Sequence, residues 1–534
     1  MIVKFILSYC MVIHLGTICQ QVQIDKSYTA AVVEYHPVDY PGTEDEQLVA
    51  RAKTHINLLK NIKQDLEIIV YPEKSVIPYG DVSLLSTVIP KKFDNIICNS
   101  TDQLYKEYLK LFSCAAIEYN TTIAITILEK ENNCKVDRNC TDVKYYNTVV
   151  VFNEQGVVSG RYRKWNLFGE FQMSVPEKPD VTVIQTKNNI SFGVITCFDI
   201  NFNIPAINLT KDLNIKNIIF PNNWISELPY LTSLQVQQMW SHENNVVLLA
   251  SGGNYPRTGA SGSGIYLGEN GPLERVFIGG DGGTKVIVQT VTNNESTQNV
   301  YNQSQLTDED TDELAKELDG FFLLRDLSMD DHTSVLMNEN KTRILEEVCN
   351  GDSVKLCCNF DIIINRNTST MGTNRYKYHL VTFNGIRSFS GLRNAGIEAC
   401  GIVACLNDSL SSCGLRFRNY SEIYWPITFE KIIVEAKFLK DENRAQYPNS
   451  VLSSFRPILP KFTSWEKKEE GKYITRKHVL NNSQNRLLTF GIFGRDFSRD
   501  SSLIKPSNSG PKNIDKNGVI KLSVLILMNV LLFK

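Results

Sequence analysis

Three short blocks carry the side chains needed to open an amide, and long stretches of ordinary sequence separate them. In LEIIVYPEKSV an apolar run ends at Pro72-Glu73, which puts a carboxylate at a strand end, where partial burial can tune it for proton transfer. In GRYRKWNLFGE, Lys164 stands among Tyr162, Trp165, Leu167 and Phe168. An ammonium in such a setting can stabilise an oxyanion, and Glu170 is placed to orient the lysine or the substrate. In FGVITCFDINFNIPA, Cys197 follows a run that reads as a buried strand. A thiol on a tight strand-to-helix turn is exposed, lies near backbone N–H donors, and can drop its pKa beside a cation.

Singly, each block has a plain reading: a solvated loop acid, a lysine whose stem covers aromatics, a structural cysteine. Together they meet the requirements of covalent amide cleavage. Glu73 would take the thiol proton and later activate water, Cys197 would form a thioester, and Lys164 with the N–H of Phe198 would hold the developing charge.

The elements that must position these groups alternate in type. From residue 28 to about 289, β-branched runs such as AAVVEY, TIAITIL and NTVVVF alternate with helical stretches, of which EDEQLVARAKTHINLLKNIKQ is the clearest. Most of the runs lack a polar face, as expected of strands covered on both sides, and Leu48, Ala52, His55, Leu58 and Leu59 recur at helical spacing. An α/β layered domain follows, with its chemistry at strand ends. Residues 290–330 are polar and acidic and read as a linker. Residues 331–499 hold further strand-like runs and six cysteines, which predicts a β-rich, disulfide-stapled second domain.

Both ends read as processing signals. Met1 to Cys19 resembles a secretory leader in its charge and apolar run, and Gly518 to Phe533 is a short greasy tail. Ahead of that tail lie a stalk at 500–509, the small residues Ser507, Asn508 and Ser509 as candidate attachment sites, and a polar spacer. The pattern is that of a lipid-anchor signal over 510–534, removed on attachment.

Of thirteen cysteines, Cys10 and Cys19 leave with the leader, so an odd eleven remain and one thiol should stay unpaired. Twelve Asn-x-Ser/Thr sites suit a glycosylated exterior: Asn99, Asn120, Asn139, Asn189, Asn208, Asn294, Asn302, Asn340, Asn367, Asn407, Asn419 and Asn481. A net charge of −2, with no long basic run, argues against nucleic acid as a partner. The expected place is the outer face of the cell membrane, anchored or secreted, as a monomer or dimer.

In this order the three blocks resemble the Glu-Lys-Cys triad of the nitrilase superfamily, and the closer likeness is to its vanin and biotinidase branch. NLFGE, TCFDI, FPNNW with the Leu-Pro pair at Pro229, and GSGIY at Gly262 to Tyr266 carry it. Beyond residue 289 it continues through VCNGDSVKLCCNFDI and IEACGIVAC. The resemblance implies an αββα sandwich with a β-rich, cysteine-rich second domain, and no metal or organic cofactor. The implied activity is hydrolysis of a small amide, pantetheine to pantothenate and cysteamine, with biotin amides such as biocytin as the alternative and a non-catalytic surface glycoprotein as a third reading. Two departures stand out, Asn254 at a position that is histidine in vertebrate members and an NLFGE block one residue shorter than theirs; His242-Glu243-Asn244, by contrast, resembles a Glu-Asn pair of simpler nitrilases.

Overall fold

Apolar runs without a polar face form two six-stranded sheets. In the first, Lys285–Val291, Tyr28–Glu34, Ile68–Val70, Thr122–Asn132, Val143–Phe152 and Val158–Arg163 lie side by side. In the second the order is Pro272–Val276, Ser263–Leu267, Val247–Gly252, Asn217–Asn222, Ser191–Val194 and Val183–Gln185. Each has three parallel strands at its centre and antiparallel strands at its edges. Val32, Ile68, Val70 and Val149 of one sheet meet Phe192, Val194, Ile219 and Leu249 of the other in a shared core, so both sheets are buried on two faces. The computed structural model describes residues 26–90, 96–132, 143–292, 307–351, 355–367 and 374–500. The expected leader, the anchor residues Ser507, Asn508 and Ser509, the sequons at Asn139, Asn294 and Asn302, and Cys134 and Cys140 lie outside them.

Helices complete the sandwich. Glu44–Lys60 is started by Thr43, whose backbone N–H donates to Glu46 Oε2 at 2.7 Å in a capping box. Its stripe of Leu48, Ala52, His55 and Leu59 packs on the first sheet with Glu107–Glu118, whereas Leu58 is only half-buried. On the outer face of the second sheet, Ser233–Asn244 is covered from Ser233 to Ser241, which is more than one sheet can bury. The rest of its cover is the second domain, through the strand Arg444–Leu452. The fold is thus an αββα sandwich of the nitrilase type with a β-rich domain against one helical layer.

That domain stacks two five-stranded sheets, one containing Lys377–Phe389 and Arg393–Cys405, the other Leu356–Arg366 and Ile427–Leu439. Cys358–Cys400 joins one sheet to the other, and Cys349–Cys357 and Cys405–Cys413 close local loops; Cys98–Cys114 staples the first domain. The described half of the expected linker is ordered. Asp308–Lys316 is a helix, and Leu324–Arg325 pairs in parallel with Glu227–Leu228 of the first domain. Its acidity serves contact rather than solvation, since Asp312 pairs with Arg486 at 2.7 Å and Asp319 with Arg416 at 3.3 Å. We call 307–330 the strap.

Candidate active site

The three chemical blocks converge. Glu73 follows the strand Ile68–Val70, Lys164 follows Val158–Arg163, and Cys197 lies just past Ser191–Val194, with relative exposures of 3%, 3% and 8%. Glu73 Oε1 accepts from Lys164 Nζ at 2.7 Å and from Asn147 Nδ2 at 2.8 Å. Its other oxygen accepts the N–H of Asn223 at 3.1 Å, from the opposite sheet. Lys164 also pairs with Glu170 Oε2 at 2.8 Å, while Glu170 Oε1 receives Asn147 Nδ2 at 2.6 Å and Lys74 Nζ at 2.9 Å. Two carboxylates and two ammoniums therefore alternate in one row, and Asn147 bridges both acids.

The row fixes protonation states. Burial opposes the charge on Lys164, but Glu170 and Glu73 outweigh it and hold the ammonium well above its ordinary range. Glu170 is held well below the usual carboxylate range, again against burial, by Lys164 and Lys74. For Cys197 the outcome differs from the expectation of a thiol lowered by a cation. Burial first, then the charge on Glu73, push it up, and Lys164 only partly offsets them. The resting group is a thiol, which needs a base as it reacts.

Cys197 has φ of 48°, the left-handed region that side chains other than glycine adopt only when the surroundings enforce it. Asp199 is part of that enforcement. Its oxygens accept from Tyr162 Oη at 2.7 Å and from the backbone and side-chain nitrogens of Asn166, both at 2.8 Å. The turn is thereby tied to the segment that carries Lys164. Burial pushes Asp199 up to about 6 in spite of those bonds. Among the described residues, Cys197 is the free cysteine.

A carbon-nitrogen hydrolase model matches residues 29–226, and a vanin C-terminal domain model matches 321–500. Vanin-like protein 3 of Drosophila melanogaster is 30% identical over 521 residues, covering 95% of each chain. The chain belongs to the vanin family. Human pantetheinase is 28% identical over 73% of this chain and 76% of its own, and human biotinidase 26% over 82% and 81%. This vanin-family chain is accordingly an amide hydrolase of the nitrilase superfamily.

Several residues at the site of this vanin-family hydrolase were not singled out in the sequence. Asn147 and Lys74 had a signal, a polar residue interrupting an apolar strand and a second charge beside Glu73. The second domain had none. Its Arg393 donates to Asn166 Oδ1 at 2.9 Å, Arg495 Nε donates to the carbonyl of Asn201 at 3.0 Å, and Phe389 packs edge-on against Phe198 at 5.1 Å. The turn bearing the thiol is thus clasped from outside its own domain.

Glu243 serves the interface as well. It accepts from Trp465 Nε1 at 2.7 Å and pairs with Arg476, so its likeness to the Glu-Asn pair of simpler nitrilases marks a domain contact. Asn254 is fully buried, donating to Glu34 Oε1 at 2.9 Å, and does not line the pocket over Cys197.

Proposed function

We propose that this hydrolase cleaves pantetheine to pantothenate and cysteamine, with Cys197 as nucleophile, Glu73 as general base and acid, and Lys164 as oxyanion partner. The observation that carries the reading is the buried Glu73–Lys164 contact at 2.7 Å, facing a protonated thiol at the end of an apolar pocket. Cys197 Sγ adds to the amide carbon as its proton passes to Glu73. The oxygen that gains charge meets Lys164 Nζ and the N–H of Phe198, which lies in the first turn of the 3-10 helix Cys197–Asn201, where N–H groups lack intrahelical acceptors. Glu73 returns the proton to the departing amine, leaving a thioester. Water, losing its proton to Glu73, then attacks the acyl carbon and frees the acid, and Cys197 recovers its proton. Glu170 and Glu73 keep Lys164 charged, and Asn147 holds those two carboxylates in place.

The named pantetheinase relatives support the pantothenoyl acyl group, and the biotinidase relative supports biocytin as the second reading. Steady-state rates on both substrates decide between them. We expect kcat/KM on pantetheine to exceed that on biocytin by at least about 10-fold, which is about 1.4 kcal/mol of transition-state binding. The reverse ratio would move the assignment to biotin amides.

We further propose an extracellular, glycosylated, GPI-anchored protein. Four disulfides support an oxidising compartment, and eight of the nine described sequon asparagines are exposed, Asn208 alone being half-buried. Treating intact cells with phosphatidylinositol-specific phospholipase C should release the activity into the medium. Retention of the activity on the cells would rule out the lipid anchor.

A further inference from the structure

The pocket over Cys197 contains a carboxylate that takes no part in the proton transfers. Glu227, on the short strand paired with the strap, lines it together with Phe168, Trp224, Leu231, Leu324 and Phe389. Leu324 comes from the strap and Phe389 from the second domain, so the pocket is complete only when all three parts are assembled. One oxygen of Glu227 accepts from the guanidinium of Arg387, which is buried, lies 4.1 Å over the Phe389 ring and pairs with Asp326 at 3.2 Å. The other oxygen has no hydrogen bond to the protein among the described residues.

The chemistry of the walls restricts the acyl group. Arg387, with two carboxylates against it, has no charge to spare, and among the described residues no lysine or arginine lines the pocket. An acyl chain ending in a carboxylate would face Glu227 without a counter-ion. A plain alkyl chain would strip water from Glu227 and give it no donor in return, which is the costly way to bury a polar group. A chain whose far end carries a hydroxyl or N–H satisfies both the apolar walls and the acceptor.

We propose that Glu227 is the residue that sets acyl specificity, accepting a hydrogen bond from a hydroxyl or N–H at the far end of an uncharged acyl group, with Arg387 of the second domain holding it in place. Burial pushes Glu227 up to about 7, Arg387 opposing the rise and Asp326 adding to it. This inference rests on the amide-hydrolase reading of Cys197 and deepens it.

The test compares full-length wild type with Glu227→Ala and Glu227→Gln on pantetheine and on an N-alkanoyl cysteamine of equal length without hydroxyls. Glu227→Ala should lose about 10- to 100-fold in kcat/KM on pantetheine, mostly through KM, and less than about 3-fold on the alkanoyl amide. Glu227→Gln, which keeps a carbonyl acceptor, should fall between. Affinity for the neutral alcohol panthenol, measured by calorimetry in a Cys197→Ser background, should drop by a similar factor on adding Glu227→Ala. Equal losses on both substrates, or unchanged pantetheine kinetics, overturn the assignment while leaving pantetheine hydrolysis intact. If wild type ignores pantetheine yet panthenol binding still depends on Glu227, the substrate reading fails and the specificity role stands.

Discussion

Cys197→Ser should lower amide hydrolysis by about 10⁴-fold or more, with little change in the thermal unfolding midpoint. A serine hydroxyl releases its proton far less readily than a thiol, and a carboxylate base is too weak to take it at neutral pH. The side chain forms no disulfide, so its replacement removes no covalent tie. Iodoacetamide should label Cys197 in native wild type, and peptide mapping should find that site unlabelled in the variant. Because burial and the charge on Glu73 hold the thiol proton tightly, the thiolate fraction stays small at pH 7 to 8. The labelling rate should therefore keep rising through pH 9 instead of levelling off near the free-cysteine value of about 8.5. Residual hydrolysis within 10-fold of wild type would assign the nucleophile to another residue.

Glu73→Gln tests the other half of the proton transfer. The amide keeps the size and one acceptor of the carboxylate but cannot take a proton, so kcat should fall by about 10²- to 10⁴-fold. Removing one member of a buried ion pair commonly costs about 3 to 5 kcal/mol when it strands the partner. Here Lys164 keeps Glu170 at 2.8 Å, so the loss of stability should be well below that range. Circular dichroism melts report that stability, and alkylation kinetics provide a second check, since Cys197 must still be present and addressable. A variant with near-normal kcat would show that proton transfer runs through a different group.

The layered first domain was legible because strands covered on both faces must be apolar throughout, as AAVVEY and NTVVVF are, and because a helix packed on a sheet repeats its apolar residues every three or four positions. Glu73 and Cys197 were legible for a related reason, each being a reactive residue just past an apolar run, where such a group can be both held and reached, and Lys164 was legible as an ammonium set among Tyr162, Trp165, Leu167 and Phe168. Asn147 shows as a polar residue interrupting an apolar strand, but nothing local ties it to Glu73 and Glu170, the two acids that it bridges. The acidic stretch before the second domain reads as solvated when its charges are counted without their partners, but Asp312 and Asp319 lie against Arg486 and Arg416, far along the chain. Arg387, Phe389 and Arg393 were invisible for the same reason. Long-range pairing leaves no local period, and a lone arginine in a strand of the second domain carries no mark of the turn it touches.

The clasp on the thiol-bearing turn has a consequence for how damage is distributed along the gene product. Arg387, Phe389, Arg393 and Arg495 reach the pocket and its supporting turn from more than 150 residues beyond Glu227. A map of inactivating substitutions would therefore have two humps, one around the reacting groups and one late in the chain, separated by tolerant ground. A product truncated between the two family matches would retain Glu73, Lys164 and Cys197 and still lack Leu324 and Phe389 from the pocket over Cys197.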